Sequence, residues 1–301
     1  MKKLIMLTMS IVALSTLVNC SKDEANPKET LVVIERATGK MYSVNAASGE
    51  LTEVMTIMLD SEPFVGIRSF VYDKDSGKGF LGTAGNADCY ACLYSLDMST
   101  GVATLMNDNS AETPPYSLDG ISDLIMDGNE IMSATYATFS DGMEGTFNEN
   151  GFVWFNKTTG AYTNAWAIDN GGVCCGGALA PALESGTYYT GSENGEMYIA
   201  NTNTDTYSDA IVLNTDDLTP FTDANSEFTM DATNVQEFAV DKRGNAYAII
   251  HFGPANQDPG PTSYFFVSIE LATGSVTYIS TLATTKQTQK HAMTFVPSGV
   301  L

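Results

Sequence analysis

Histidine is nearly absent from this 301-residue chain, occurring only at His251 and His291. Tryptophan is as scarce, at Trp154 and Trp166, and 14 basic residues face 36 acidic ones. Two histidines far apart make no His-rich metal motif. The chain has neither a G-x-S-x-G elbow nor a Walker loop, and nothing in it specifies a Ser-His-Asp triad. A net charge of −22 repels phosphate backbones and sets the chain against nucleic acid. The acidity is spread along the chain, so it reads as solvated surface, with cation binding secondary. No apolar run reaches the roughly 20 residues of a bilayer-spanning helix; the one at 4–18 is too short.

What is there begins with that run. Lys2 and Lys3 precede it, and Asn19-Cys20 and the polar Ser21-Lys22-Asp23-Glu24 follow it, which is the layout of an export signal. The segment LVNC resembles a bacterial lipobox, with Asn19 where such motifs usually carry a small residue. The resemblance implies cleavage before Cys20 and lipidation of that cysteine. Ser21 to Glu24 resembles the Lys-plus-acidic export signal of surface lipoproteins, which implies an outer-membrane anchor and exposure at the cell surface. The alternative is an ordinary signal peptide that leaves a soluble secreted protein. The expected organisation is signal peptide 1–20, flexible tether 21–30 and a folded domain at 31–301.

Beyond Cys20, four cysteines remain: Cys89, Cys92, Cys174 and Cys175. An even number in an exported chain suggests disulfides, with three pairings open. A zinc site of four thiolates is the alternative, since CYAC has ligand spacing. The adjacent Cys174-Cys175 lacks that spacing.

One phrase recurs five times: YSVNAASGELT at 42, YSLDMSTGVAT at 94, VWFNKTTGAYT at 153, YIANTNTDTYS at 198 and VSIELATGSVT at 267. Its fourth position is Asn45, Asp97, Asn156, Asn201 or Glu270, followed four residues later by Gly49, Gly101, Gly160, Asp205 or Gly274. A polar side chain that caps a turn and a residue that accepts left-handed backbone describe a tight antiparallel hairpin. A second phrase, an apolar strand ending in a polar turn, alternates strictly with the first, at 69–77, 123–128, 179–186, 237–244 and 292–299. Together they define a four-stranded unit, a-b-c-d. The chain starts with b-c-d and stops after a, so its two ends complete one unit. That is the closure of a β-propeller. The expectation is all-β, with five four-stranded blades, six if one is degenerate. The C-terminal strand a pairs with the N-terminal b-c-d.

Both recurring turns fall on one face, and the longer connections at 85–91, 106–119, 138–151, 214–233 and 252–263 fall on the other, where function is usually grafted. The tether enters on the tight-turn face, so that face is expected to look toward the membrane. The innermost strands begin at the long-loop face with Arg68, Asp123, Cys174 and Cys175, Glu237, and Lys290 with His291. Arg68, Asp123, Glu237, Lys290 and His291 are therefore the candidate ligand site at the channel mouth, against the alternative of a salt-bridged funnel that stabilises the ring. His251 reads as structural. Calcium is suggested by Asp73-x-Asp75-x-Gly77 and by Asn201-x-Asn203-x-Asp205, though both coincide with recurring turns, and no cofactor is otherwise expected.

The D-x-x-T-G core of the first phrase resembles the repeats of quinoprotein and YVTN-type propellers. Such repeats usually continue to a docking tryptophan, which the two tryptophans here cannot supply five times, so the resemblance implies the fold and not a quinone. Five-bladed propellers also include glycosidases with inner-strand carboxylates, which by fold analogy would make Asp123 and Glu237 acid and base. The leading expectation is a lipid-anchored binding module for an extracellular glycan, peptide or protein. A carbohydrate-active hydrolase and a structural envelope component are the alternatives.

Overall fold

The computed structural model of the chain describes residues 28–84, 89–110, 116–118, 120–140, 146–167, 175–182, 186–192, 195–204, 206–218, 234–252, 263–283 and 288–301. In chain order the strands are β1 (Glu29–Glu35), β2 (Lys40–Val44), β3 (Leu51–Thr56), β4 (Met58–Leu59) and β5 (Glu62–Pro63), then β6 (Ile67–Asp73), β7 (Lys78–Thr83), β8 (Cys92–Asp97) and β9 (Val102–Asp108). The next are β10 (Tyr116–Leu118), β11 (Ser122–Asp127), β12 (Glu130–Ser140), β13 (Thr146–Asn156) and β14 (Tyr162–Ala167). They are followed by β15 (Cys175–Pro181), β16 (Thr187–Ser192), β17 (Glu196–Asn201), β18 (Thr206–Tyr207) and β19 (Ile211–Val212). The last are β20 (Asn234–Val240), β21 (Ala246–Phe252), β22 (Ser263–Glu270), β23 (Ser275–Ala283) and β24 (Lys290–Pro297).

They form five antiparallel blades of four principal strands, a β-propeller. The first blade is β24-β1-β2-β3, so the C-terminal strand completes the N-terminal sheet as the turn order requires. The first strand starts at Glu29, two residues ahead of the expected boundary at 31, because Glu29 and Thr30 pair with Pro297 and Val296. The innermost strands touch in the cyclic order β24, β6, β11, β15, β20 and back to β24.

The period-2 alternation of each strand explains the ring. In β1, Val32 and Ile34 face the second blade, where they meet Phe70, Tyr94 and Leu96. Leu31 and Val33 face the fifth, where they meet Ile249, Tyr264 and Phe266. Every core cluster straddles two adjacent blades in this way. The hydrophobic effect thus acts between blades, and inner strands such as β1, β6 and β24 bury both their faces, whereas outer strands such as β3 and β9 stay largely half-buried or exposed.

The recurring turns are as the sequence requires. Asn45, Asp97, Asn156 and Asn201 each accept two turn N–H groups on Oδ1. Gly49, Gly101, Gly160 and Gly274 have φ near 70° and each donates its N–H to the carbonyl four residues back, at 2.7–2.8 Å. Asp205 lies outside the described residues. One expectation fails. The segment 138–151, read as a loop, is mostly strand, because β12 and β13 stay in register from Glu130↔Asn156 to Ser140↔Thr146. Only 141–145 there lies outside the described residues, as do 85–88, 111–115, 119, 219–233 and 253–262 of the other inferred loops.

Candidate functional site

Every innermost strand breaks register near its start. In β6 the break leaves Arg68 unpaired between Ile67 and Ser69. In β11 it leaves Asp123, in β15 residues 176–178 and in β20 Gln236, just before Glu237. In β24 it falls at Ala292 and Met293, just after His291. A bulge bends the strand and re-aims a side chain. Asp123 and Ala292 bear the cost visibly, with φ of 33° and 58° in the left-handed region that non-glycine residues avoid.

The result is one buried cluster with a group from each blade. His291 is fully buried, and its Nδ1 lies 2.8 Å from Glu237 Oε1. Arg68 Nη1 rests against the imidazole, in contact with Nδ1 and 3.3 Å from Nε2, and lies 3.8 Å from Glu237 Oε1. With Nδ1–H donated to Glu237, Nε2 is left to accept from Arg68. Glu237 Oε2 accepts the Met293 N–H at 3.2 Å. Asp123 stands against Glu237 and takes the Leu179 N–H from the fourth blade.

Burial decides the proton inventory. It pushes the Glu237 carboxyl up to about 7 even though Arg68 and the Met293 N–H pull it down. Burial and the Glu237 charge together hold Asp123 well above the carboxylate range. Asp123 Oδ2 has no donor among the described residues. Two acceptors in contact can bond only through a proton, so Asp123 donating to a Glu237 carboxylate satisfies both. Burial, then Arg68 and Arg36, holds His291 neutral. One shared negative charge therefore faces the Arg68 cation.

Of the residues expected at the mouth, Arg68, Asp123, Glu237 and His291 come together. Lys290 does not join them. One residue before His291, it points to the other side of β24, where Nζ binds Glu35 Oε1 at 2.5 Å and the Thr288 carbonyl at 2.8 Å, 5.3 Å from the Tyr42 ring centroid. Burial pushes the Glu35 carboxyl up, but bonds from Lys290 and Thr38 bring it to a net lowered value. Sequence reasoning missed Arg36. It sits in the β1–β2 turn, gives Nη2 to the Ala84 carbonyl at 3.0 Å and accepts the Gly66 N–H, so it spans the first two blades at the mouth. The signal was available, since arginine occurs only at 36, 68 and 243.

Other candidates have separate places. Cys89 and Cys92 form a close pair with Cα atoms 5.7 Å apart at the entry to β8, near Asp108. Cys174 lies outside the described residues, and of Cys175 only the backbone is described. Asp73 accepts from the Asp75 N–H, Ser76 and Lys157 Nζ, so an ammonium group already occupies its open side. His251 stacks on Tyr264 at 4.8 Å.

No family model matches this sequence, and no curated protein does. Solved structures do resemble it. The endo-arabinase from Bacteroides thetaiotaomicron is 13% identical over 77% of this chain and 85% of that one, with a TM-score of 0.50. The extracellular domain of a candidate hybrid two-component system from the same organism is 12% identical over 78% and 27%, with a TM-score of 0.37. Hydrazine synthase from Kuenenia stuttgartiensis is 12% identical over 83% and 62%, with a TM-score of 0.41. At these identities the likeness is one of fold.

Proposed function

We propose that this chain is a lipoprotein anchored through Cys20 whose propeller binds an extracellular ligand, a glycan in the first instance, at the mouth of its central channel. One observation carries the reading. All five innermost strands abandon regular pairing at the same level, and the breaks gather Arg68, Asp123, Glu237 and His291 into one polar cluster. Ring closure by itself needs only the apolar contacts between blades. Backbone strain and buried charge concentrated at one mouth are what functional sites are built from.

A carbohydrate-active hydrolase is the second reading, favoured by two carboxyls from separate inner strands and by the fold shared with an endo-arabinase. Their spacing weighs against it. Glycosidase carboxyls stand about 5–5.5 Å apart when retaining and about 6.5–9.5 Å apart when inverting, with substrate or water between them. Asp123 and Glu237 share a hydrogen bond instead.

A glycan array followed by a reducing-sugar assay on each hit separates the readings. Capture without turnover is expected. Release of reducing ends, abolished in Glu237→Gln, establishes the hydrolase, and a blank array removes both.

A further inference from the structure

The geometry points to a carboxylate-bearing sugar, a uronic acid, as the ligand of the channel mouth, with the side-on fork of Arg68 as its receptor. This rests on the binding reading above and narrows it. Arg68 spends only Nη1 on Glu237 and His291. Its Nε and Nη2 have no partner among the described residues, and the side chain keeps 17% of its surface open. Those two nitrogens form the planar edge that accepts a carboxylate through two parallel bonds. Its fixed hydrogen bonds on the other side hold that edge in place, so little conformational freedom remains to be lost on binding.

The charge balance agrees. Arg36 and Arg68 are two of the three arginines in a chain of net charge −22, yet they stand close enough to add to burial in lowering the Arg36 pKa and in keeping His291 neutral. Lys290 and Glu35 cancel. Asp123 and Glu237 share one negative charge, so the described mouth is left positive by about one unit. A polyanion meets the acidic exterior first and is repelled. A single carboxylate within a Debye length of the two guanidinium groups, about 8 Å at physiological salt, responds mainly to them.

Tyr90 favours a sugar over an acidic peptide. It lies between Cys89 and Cys92, whose backbone is tied to Thr83 Oγ1 at 3.1 Å on each side, and Thr83 pairs with Ile67 beside Arg68. Half exposed on that rim, Tyr90 presents a ring on which the apolar face of a pyranose can stack while its hydroxyl stays wet.

The test is calorimetric titration of the full chain in detergent micelles with digalacturonate, its dimethyl ester and diglutamate. Binding of digalacturonate is expected, with the ester weaker by about 10- to 100-fold, the loss of a charge-assisted bidentate contact. Arg68→Lys, which keeps the charge but not the fork, should weaken digalacturonate to a similar degree while leaving the ester unchanged. Equal binding of acid and ester overturns the inference and leaves the glycan-binding reading intact. Diglutamate bound in preference to the sugar overturns it in favour of a peptide. No heat from any probe also overturns it, whatever the glycan array returns. The ester comparison needs no variant, so a misfolded Arg68→Lys does not rescue the idea.

Discussion

At the scale of single side chains, the cluster should register in the pH dependence of stability. Glu237 titrates at about 7 when folded against 4.5 as its ordinary value, and Asp123 is also raised. Between those values the folded state holds protons that the unfolded chain has released. The contribution is therefore full below about pH 4.5 and is lost as pH rises through about 7. His291 has the opposite sign. It stays neutral when folded against an ordinary value of 6.5, so it costs stability as pH falls below 6.5. The two oppose each other in acid, and above pH 6.5 only the carboxyls act. In urea unfolding from pH 6.5 to 8.5, the wild type should lose stability relative to Glu237→Gln as pH rises, with a slope of at most about 1.4 kcal/mol per pH unit for each proton involved. A difference that stays flat, or widens in favour of the wild type, shows that the cluster is fully ionised.

At the scale of elements, the recurring glycines differ in what surrounds them. Gly128 and Gly274 both occupy left-handed backbone, with φ of 58° and 71°. A Cβ on Gly128 meets nothing within 4 Å, whereas one on Gly274 would sit 2.1 Å from the Val212 carbonyl oxygen. Gly128→Ala should cost about 1 kcal/mol, the left-handed penalty alone. Gly274→Ala should cost roughly 1–3 kcal/mol more, because backbone must move. Chemical denaturation of both variants checks the order, and equal losses would show that the connection between the fourth and fifth blades yields freely. The same contrast marks what was legible in the sequence. Turns that need a glycine and a capping Asn or Asp leave a pattern, and from their alternation came the blades and the closure. The bulges leave none, since Asp123 and Ala292 adopt positive φ without being glycine. Period-2 reading therefore could not say that His291 faces the channel and Lys290 does not. Arg36 was overlooked because its turn belongs to neither repeat, and 138–151 because its polar residues suggest a loop although its backbone continues the β12–β13 ladder.

At the scale of the whole molecule, the place where the chain enters the ring would set its orientation on a membrane if the lipoprotein reading proposed above holds. Lys28 accepts the Ser298 N–H through its carbonyl at 2.8 Å, and Glu29 binds Lys242 Nζ at 2.8 Å. Ser298 and Lys242 both belong to recurring short turns, so the described chain enters the ring among those turns, on the face opposite the polar cluster. Seven residues separate Cys20 from Lys28, and a flexible coil of that length, at about 5–6 Å × √n, would reach on the order of 15 Å. That is shorter than a propeller is wide, so the proposed lipid at Cys20 would keep the short-turn face near the bilayer and turn the channel mouth outward. In proteoliposomes carrying the lipidated chain, an external protease should spare the turns that follow Asp73 and Asp241. The Cys20→Ala chain, which should take no label from a palmitate analogue, should lose that protection and be cut at the short turns as well. Cleavage of the anchored chain after Asp73 or Asp241 alone would place the mouth against the membrane, where no soluble ligand could reach Arg68.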